Sequence, residues 1–187
     1  MNSSRPPVGD DEAVERFEEL YEAHYRRIVA YARRRTYSLD DADDVAAATF
    51  AVAWRRLDDL VGADEPLAWL YGVAFRTVLS QRRSVKKTTK LAERAAAQYS
   101  DPVESIESTV EARDQLVRAR AAAETLSEND QEILRLVGWE ERSHAEIAEI
   151  LDISRVLVRT RLLRARRRLQ TAYDESLSTS ASKDQAV

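Results

Sequence analysis

Cysteine is absent from this chain of 187 residues, which excludes disulfides, thiolate metal sites and cysteine nucleophiles and suits a reducing compartment. Glycine and proline are scarce, four of each, and so little punctuation over this length predicts an all-α protein. No run approaches roughly eighteen consecutive apolar residues, so no membrane span is expected. The opening MNSSRPPVGDDEAVERFEEL lacks an apolar signal core and turns acidic at once, which predicts a cytoplasmic protein. His24 and His144 are the two histidines; they lie far apart in sequence and belong to no ligand cluster. His144-Ala-Glu146 matches half of a zinc deaminase signature, but the cysteine half cannot exist. No glycine-rich phosphate loop, H-E-x-x-H helix or elbow serine occurs. The expectation is a protein that is not an enzyme and holds neither metal nor cofactor.

Acids outnumber bases, 33 to 29, for a formal charge of −4, which by itself leans away from a nucleic-acid partner. The distribution reverses that reading. From Pro66 to Ala92 the charged residues are Arg76, Arg82, Arg83, Lys86, Lys87 and Lys90, and no acid occurs. From Ile153 to Tyr173 there are seven arginines and again no acid. Outside these two strips the chain carries about −17, since 13 of its 29 cations lie within them. One such strip is equally well a solvated helix face; two, each on a helical pattern, point to a polyanion.

Residues 1–11 read as a disordered start. Val14, Phe17, Leu20, Tyr21, Ile28 and Tyr31 recur at helical spacing, so roughly 12–35 is one amphipathic helix. Ser38-Leu-Asp-Asp begins a second, whose apolar stripe is Val45, Thr49, Val52, Ala53 and Leu57. Asp58–Glu65, with Gly62, breaks the pattern, and Pro66 opens a third helix running to about Arg83. These three predict a helical bundle over 12–83. Residues 84–106, poorer in large apolar side chains, read as a flexible linker. A second helical domain spans 107–173, with early apolar positions at Ile106, Val110, Leu116 and Val117, and 174–187 read as a disordered tail.

Within the second domain, Ser127 is placed to cap a helix that Gly138 can close. Ser143-His-Ala-Glu146 is a capping box before a two-turn helix, Asp152-Ile153-Ser154 is a tight break, and Ser154 caps the next helix. In that helix Val158, Leu162, Ala165 and Leu169 form an apolar stripe, with Arg155, Arg159 and Arg166 close to one line. A short helix, a three-residue turn and a second helix with a cationic outer face suit reading of the DNA major groove. There an arginine can hold guanine O6 and N7 with two hydrogen bonds. The plainer alternative is a helical hairpin with a solvated basic face.

The segment LSENDQEILRLVGWEERSHAEIAEILDISRVLVRTRLLRARRRL resembles region 4 of the extracytoplasmic-function (ECF) sigma factors of bacterial RNA polymerase. FEELYEAHYRRIVAYARRR, DDADDVAAATFAVAWRRL and PLAWLYGVAFRTVLSQRR resemble region 2 of the same family. A helix-turn-helix alone is shared by many regulators; D-A-D-D-V, T-F-x-x-A-W and W-L-Y-G-V-A ahead of it are specific. The resemblance implies an initiation subunit whose region 2 docks on the clamp helices of the largest polymerase subunit and holds the −10 element as melted strand. Region 4 would sit on the flap of the second-largest subunit and read the −35 element as duplex. An anti-sigma factor partner is implied on the same basis.

Carried over onto matching positions, Arg155, Arg159, Thr160 and Arg164 are the −35 candidates. Trp54, Arg55, Gly62, Trp69 and Arg76 are the −10 candidates, with Asp58–Glu65 expected as a loop that pockets an unstacked base beside a cationic groove. Trp54, Trp69 and Tyr71 are also good core residues, and for each taken alone core packing outweighs base stacking. Asp43, Asp44 and Phe50 are the polymerase-binding candidates, and Arg82, Arg83, Lys86 and Lys87 follow either the template strand or a solvated tether. Ala47 and Ala48 replace the Gln and acid common in the family, Val156 and Leu157 its Gly-Thr, and Phe75 an arginine. Two other readings compete: a stand-alone helix-turn-helix regulator with an N-terminal sensing bundle, and a helical adaptor, which leaves the arginines of 155–168 unexplained.

Overall fold

In the computed structural model, residues 11–89 and 110–184 are described, and every regular element among them is a helix. The all-α expectation holds. The chain divides into two units, Met1–Pro102 and Val103–Val187.

In the first unit, α1 (Asp11–Arg33), α2 (Leu39–Arg55) and α4 (Pro66–Thr89) pack against one another, with the single-turn α3 (Leu57–Val61) set against α2 and α4. Ile28, Tyr31 and Ala32 of α1 close on Val45, Ala46 and Thr49 of α2 and on Leu70, Tyr71 and Ala74 of α4, all buried. Helix α2 starts where Ser38 accepts the Asp41 amide at 3.0 Å, with Asp40 and Asp41 at the positive end of its dipole. At the end of α1 the chain is held by a buried arginine. Arg35 is 2% exposed; it donates to the Tyr31 carbonyl at 3.0 Å, and its guanidinium lies 3.4 Å from the centre of the Tyr31 ring. That ring stacks on Tyr71 of α4 at 4.8 Å. Arg82, half-buried, donates from α4 to the Arg35 carbonyl at 2.8 Å, joining the two helices at this end.

In the second unit, α5 (Val110–Glu124), α6 (Glu128–Gly138) and α7 (His144–Leu151) each pack on α8 (Arg155–Asp184). Ile133, Leu136, Ile147 and Ile150 meet Val158, Leu162 and Ala165 in the core. The Ser127 hydroxyl accepts the Asp130 amide at 3.2 Å to start α6. Gly138 stays inside that helix, and Trp139 is its cap; a Cβ at Gly138 would meet nothing within 4 Å. The left-handed residue comes later, at Glu141 (φ 53°).

Element boundaries depart from expectation where a helix had nothing to stop it. Helix α4 runs to Thr89, six residues past the expected end, and α8 continues to Asp184 through most of the segment expected as a tail. No glycine or proline lies between Gly72 and Pro102, or after Gly138, so neither helix meets a breaker. Asp58–Glu65, expected as a loop, contains α3, because Leu57 and Leu60 bury their side chains, worth roughly 1.5–3 kcal/mol apiece. Val117, placed on the apolar side of its helix, is exposed. Residues 1–10, the 90–106 part of the expected linker and 185–187 lie outside the described residues.

Candidate nucleic-acid interface

The approach to α8 is built by local hydrogen bonds. Ser143 accepts the Glu146 amide at 3.2 Å, and the Glu146 carboxylate accepts the Ser143 amide at 2.8 Å, closing the capping box. Arg142 donates to the other oxygen of Glu146 at 2.6 Å and to the Glu140 carbonyl at 2.6 Å. Partial burial pushes the Glu146 carboxyl up, but the Ser143 hydrogen bonds and the Arg142 charge outweigh it and hold the group below its ordinary value. Asp152 then turns the chain with φ 53° and ψ 51°, a left-handed conformation that aspartate tolerates better than most residues. Ser154 accepts the Leu157 amide at 3.2 Å and starts α8. Both predicted caps and the tight turn are present.

Successive residues of α8 are about 100° apart, and buried Val158, Leu162 and Ala165 define its core side. Arg155, Arg159 and Arg166 follow one margin of that stripe, all exposed. Arg161, Arg164 and Arg168 follow the other. They line a cleft of about 220 Å³ with Ser127, Asn129 and Asp130 at the N-terminus of α6. Arg168 reaches Asp130 at 3.5 Å across it. Arg159 and Arg164 therefore stand about 140° apart around the axis, and the four −35 candidates do not share one line. Thr160, exposed between the margins, donates its hydroxyl to the Val156 carbonyl at 3.0 Å.

In the first unit the −10 candidates separate. Trp54 lies edge-on to Phe17 at 5.1 Å, in an aromatic cluster on α1 and α2 that also contains Tyr21, Tyr25 and Phe50. Phe50 is 5% exposed and packs edge-on to Tyr21 at 4.7 Å, so the outward aromatic atoms here belong to Tyr21 and Tyr25, stacked at 4.9 Å. Trp69 is half-buried beneath Arg56, whose guanidinium is 5.6 Å from its ring centre, and Arg56 also pairs with Asp59 at 2.7 Å. Gly62 has ordinary right-handed angles; what suits glycine there is space, since a Cβ would come to 3.1 Å from the Asp58 carbonyl. Arg55 and Arg76 are exposed, but so are Asp58, Asp59, Asp64 and Glu65. The surface around α3 is thus mixed in charge rather than the cationic groove expected. Asp43 and Asp44 are exposed on α2 beside exposed Ala47, Ala48 and Ala51.

The Sigma-70 region 2 family matches residues 20–88, and the Sigma-70, region 4 family matches residues 116–169. The RNA polymerase sigma factor YlaC of Bacillus subtilis is 33% identical over 167 residues, covering 85% of this chain and 92% of that protein. The ECF RNA polymerase sigma factor SigG of Mycobacterium tuberculosis is 29% identical over 192 residues, 91% of this chain and 51% of SigG. This chain belongs to the ECF sigma factor family. A solved structure of the sigma factor RpoE with the anti-sigma factor NepR from Bartonella quintana has the same fold. It aligns with a TM-score of 0.66 at 21% identity, over 84% of this chain and 96% of that one. In this sigma factor the region 2 match takes in α2, α3, most of α4 and part of α1, and the region 4 match takes in the helix-turn-helix of α7 and α8.

Four features of this sigma factor escape a reading of the sequence. Arg56 over Trp69 joins residues thirteen apart with no periodic signal, and the Tyr21–Tyr25 pair becomes prominent only when Phe50 packs against it. Arg82 is engaged in the α1–α4 joint, not free along a tether. The Arg161–Arg164–Arg168 margin was legible in its spacing but not in its neighbour, α6. Among the described residues no group of three or more His, Asp or Glu could hold a metal ion, and no helix is long and apolar enough to cross a membrane.

Proposed function

We propose that this sigma factor binds core RNA polymerase and directs it to promoters whose −35 element is read as duplex by α8 and whose −10 element is held as melted strand near α3 and α4. One observation carries the reading: a capped helix-turn-helix presents α8 with arginines on both margins, in the same chain as a region 2 match. The two domains are built on 12–83 and 107–173, with α4 and α8 running past those bounds to Thr89 and Asp184. Arg155, Arg159 and Thr160 face the −35 element, and Arg164 serves it from the cleft margin. Arg55, Trp69, Arg76 and the Gly62 turn serve the −10 strand, with Trp54 at the edge of the same unit.

Asp43 and Asp44 on α2 meet the clamp helices of the largest subunit, with Phe50 supporting that surface from beneath, and the second domain meets the flap of the second-largest subunit. An anti-sigma factor controls the protein, a proposal supported by RpoE having been solved with NepR. The chain acts in the cytoplasm and performs no chemistry of its own. A stand-alone regulator would have no use for the region 2 match.

The decisive test mixes the purified chain with core RNA polymerase. Co-elution and run-off transcription from a cognate promoter are expected; core binding without any specific transcript would sink the proposal.

A further inference from the structure

Over residues 156–163 the outward face of α8, between its two arginine margins, carries Val156, Thr160 and Leu163 and no charge; exposed Arg167 follows on the same face one turn further along. Val156 is 72% exposed, the highest exposure among the large apolar side chains so described, and Leu163 is 53% exposed. Val156 and Thr160 each stand about 160° around the axis from buried Val158, and Leu163 about 140°, so all three project away from the core. The Thr160 hydroxyl gives its proton to the Val156 carbonyl, so outward it offers a methyl and an acceptor oxygen but no donor. Apolar side chains flanked by cations on both margins suit a partner that is anionic at its edges and carries apolar groups between them. In the major groove the one apolar group on a base edge is the thymine C5-methyl.

We infer that Val156 and Leu163, with the Thr160 methyl between them, read thymine methyl groups in the −35 duplex while Arg159 holds a base edge beside them and the other flanking arginines grip phosphates. The inference rests on the assignment of α8 to that element and names the chemistry it recognises. Val156 and Leu163 are separated by about 10 Å along the helix, roughly three base-pair steps, so they address different positions of one short element. The charge arrangement favours DNA over an apolar protein surface as the occupant. Arg155, Arg159 and Arg166 on one margin and Arg164 and Arg168 on the other are exposed, and an apolar partner would have to desolvate them.

The experiment selects promoters for the holoenzyme from templates randomised over the −35 element, then replaces each selected thymine by deoxyuridine, which removes only the methyl. At one or more positions the wild-type holoenzyme should lose about four-fold in promoter complex formation, the worth of one buried methyl. Val156→Ser or Leu163→Ser should lose the same factor on the thymine template and show no further loss on the deoxyuridine template. Transcription from selected promoters with equal affinity for both templates would overturn this inference while leaving the sigma reading intact. A selected element without thymine on either strand would do the same. Failure to select any promoter would count against the sigma assignment, and the inference would fall with it. The template arm needs no variant, so a misfolded substitution cannot mask the answer.

Discussion

At the entrance to the helix-turn-helix the Glu146 amide donates to the Ser143 hydroxyl, while the Glu146 carboxylate accepts from the Ser143 amide and from Arg142. Its folded-state pKa lies below the unfolded one, so as pH falls the unfolded chain takes up the proton first. The stability it contributes is complete above the ordinary glutamate range and is lost as pH falls through the folded value. Glu146→Gln should therefore cost about 1 kcal/mol at neutral pH, and the deficit should close as pH falls below the ordinary glutamate range, measured by urea unfolding at neutral and at acid pH. His24 works in the same direction. Burial and then Arg27 lower its pKa, so its contribution weakens as pH drops below the ordinary histidine range. At the DNA surface, Arg159→Ala should cost roughly 1–3 kcal/mol and relax preference at one base pair if it makes a bidentate contact. Arg164→Ala, on the cleft margin, should weaken all promoter sequences alike; quantitative binding to a set of −35 variants separates the two.

The turn between α7 and α8 and the joint between α1 and α4 each hang on a few atoms. Asp152 adopts φ 53°, a conformation glycine reaches without a steric cost. Asp152→Gly should raise thermal stability slightly, whereas Asp152→Val should lower it by about 1–3 kcal/mol, because a β-branched residue is strained there. Scanning calorimetry of the two variants checks the sign. At the α1–α4 joint, Arg82→Ala leaves the carbonyl of buried Arg35 without this donor and should cost about 1–3 kcal/mol. If Arg82 instead follows the template strand, the variant will keep its stability and lose transcription.

For the whole chain, the formal charge of −4 conceals two acid-free strips within an acidic remainder. That segregation suits a protein that holds loosely to DNA by itself and firmly once core polymerase presents it. Holoenzyme binding to promoter duplex should fall steeply with salt, and Arg161→Ala and Arg168→Ala should each lower the slope of log K against log salt by about 0.9 if each neutralises one phosphate. Fluorescence anisotropy between low and physiological salt reads the slope directly. An unchanged slope in both variants would remove the cleft margin from the DNA surface.

The helical class, the three N-terminal helices, the capping box at Ser143 and the turn before Arg155 were all legible in the sequence, because each is a local matter. Spacing, capping hydroxyls and breakers act within a few residues, and the strings that mark regions 2 and 4 are contiguous. What lay beyond local reach was decided by packing. A linear string of arginines does not say that Arg161, Arg164 and Arg168 line a cleft against the N-terminus of α6. Nor does it say that Arg82 is spent on a backbone carbonyl 47 residues away. Phe50 and Trp54 were assigned to different partners and turn out to share one aromatic cluster, since the fold of α1 onto α2 brings Phe17 to both. The sequence by itself determined the longer helices, though not α3 or where α4 and α8 end, and which family the chain belongs to. Only the tertiary structure decided which face of each helix is left for a partner, because that depends on what the other faces have already buried.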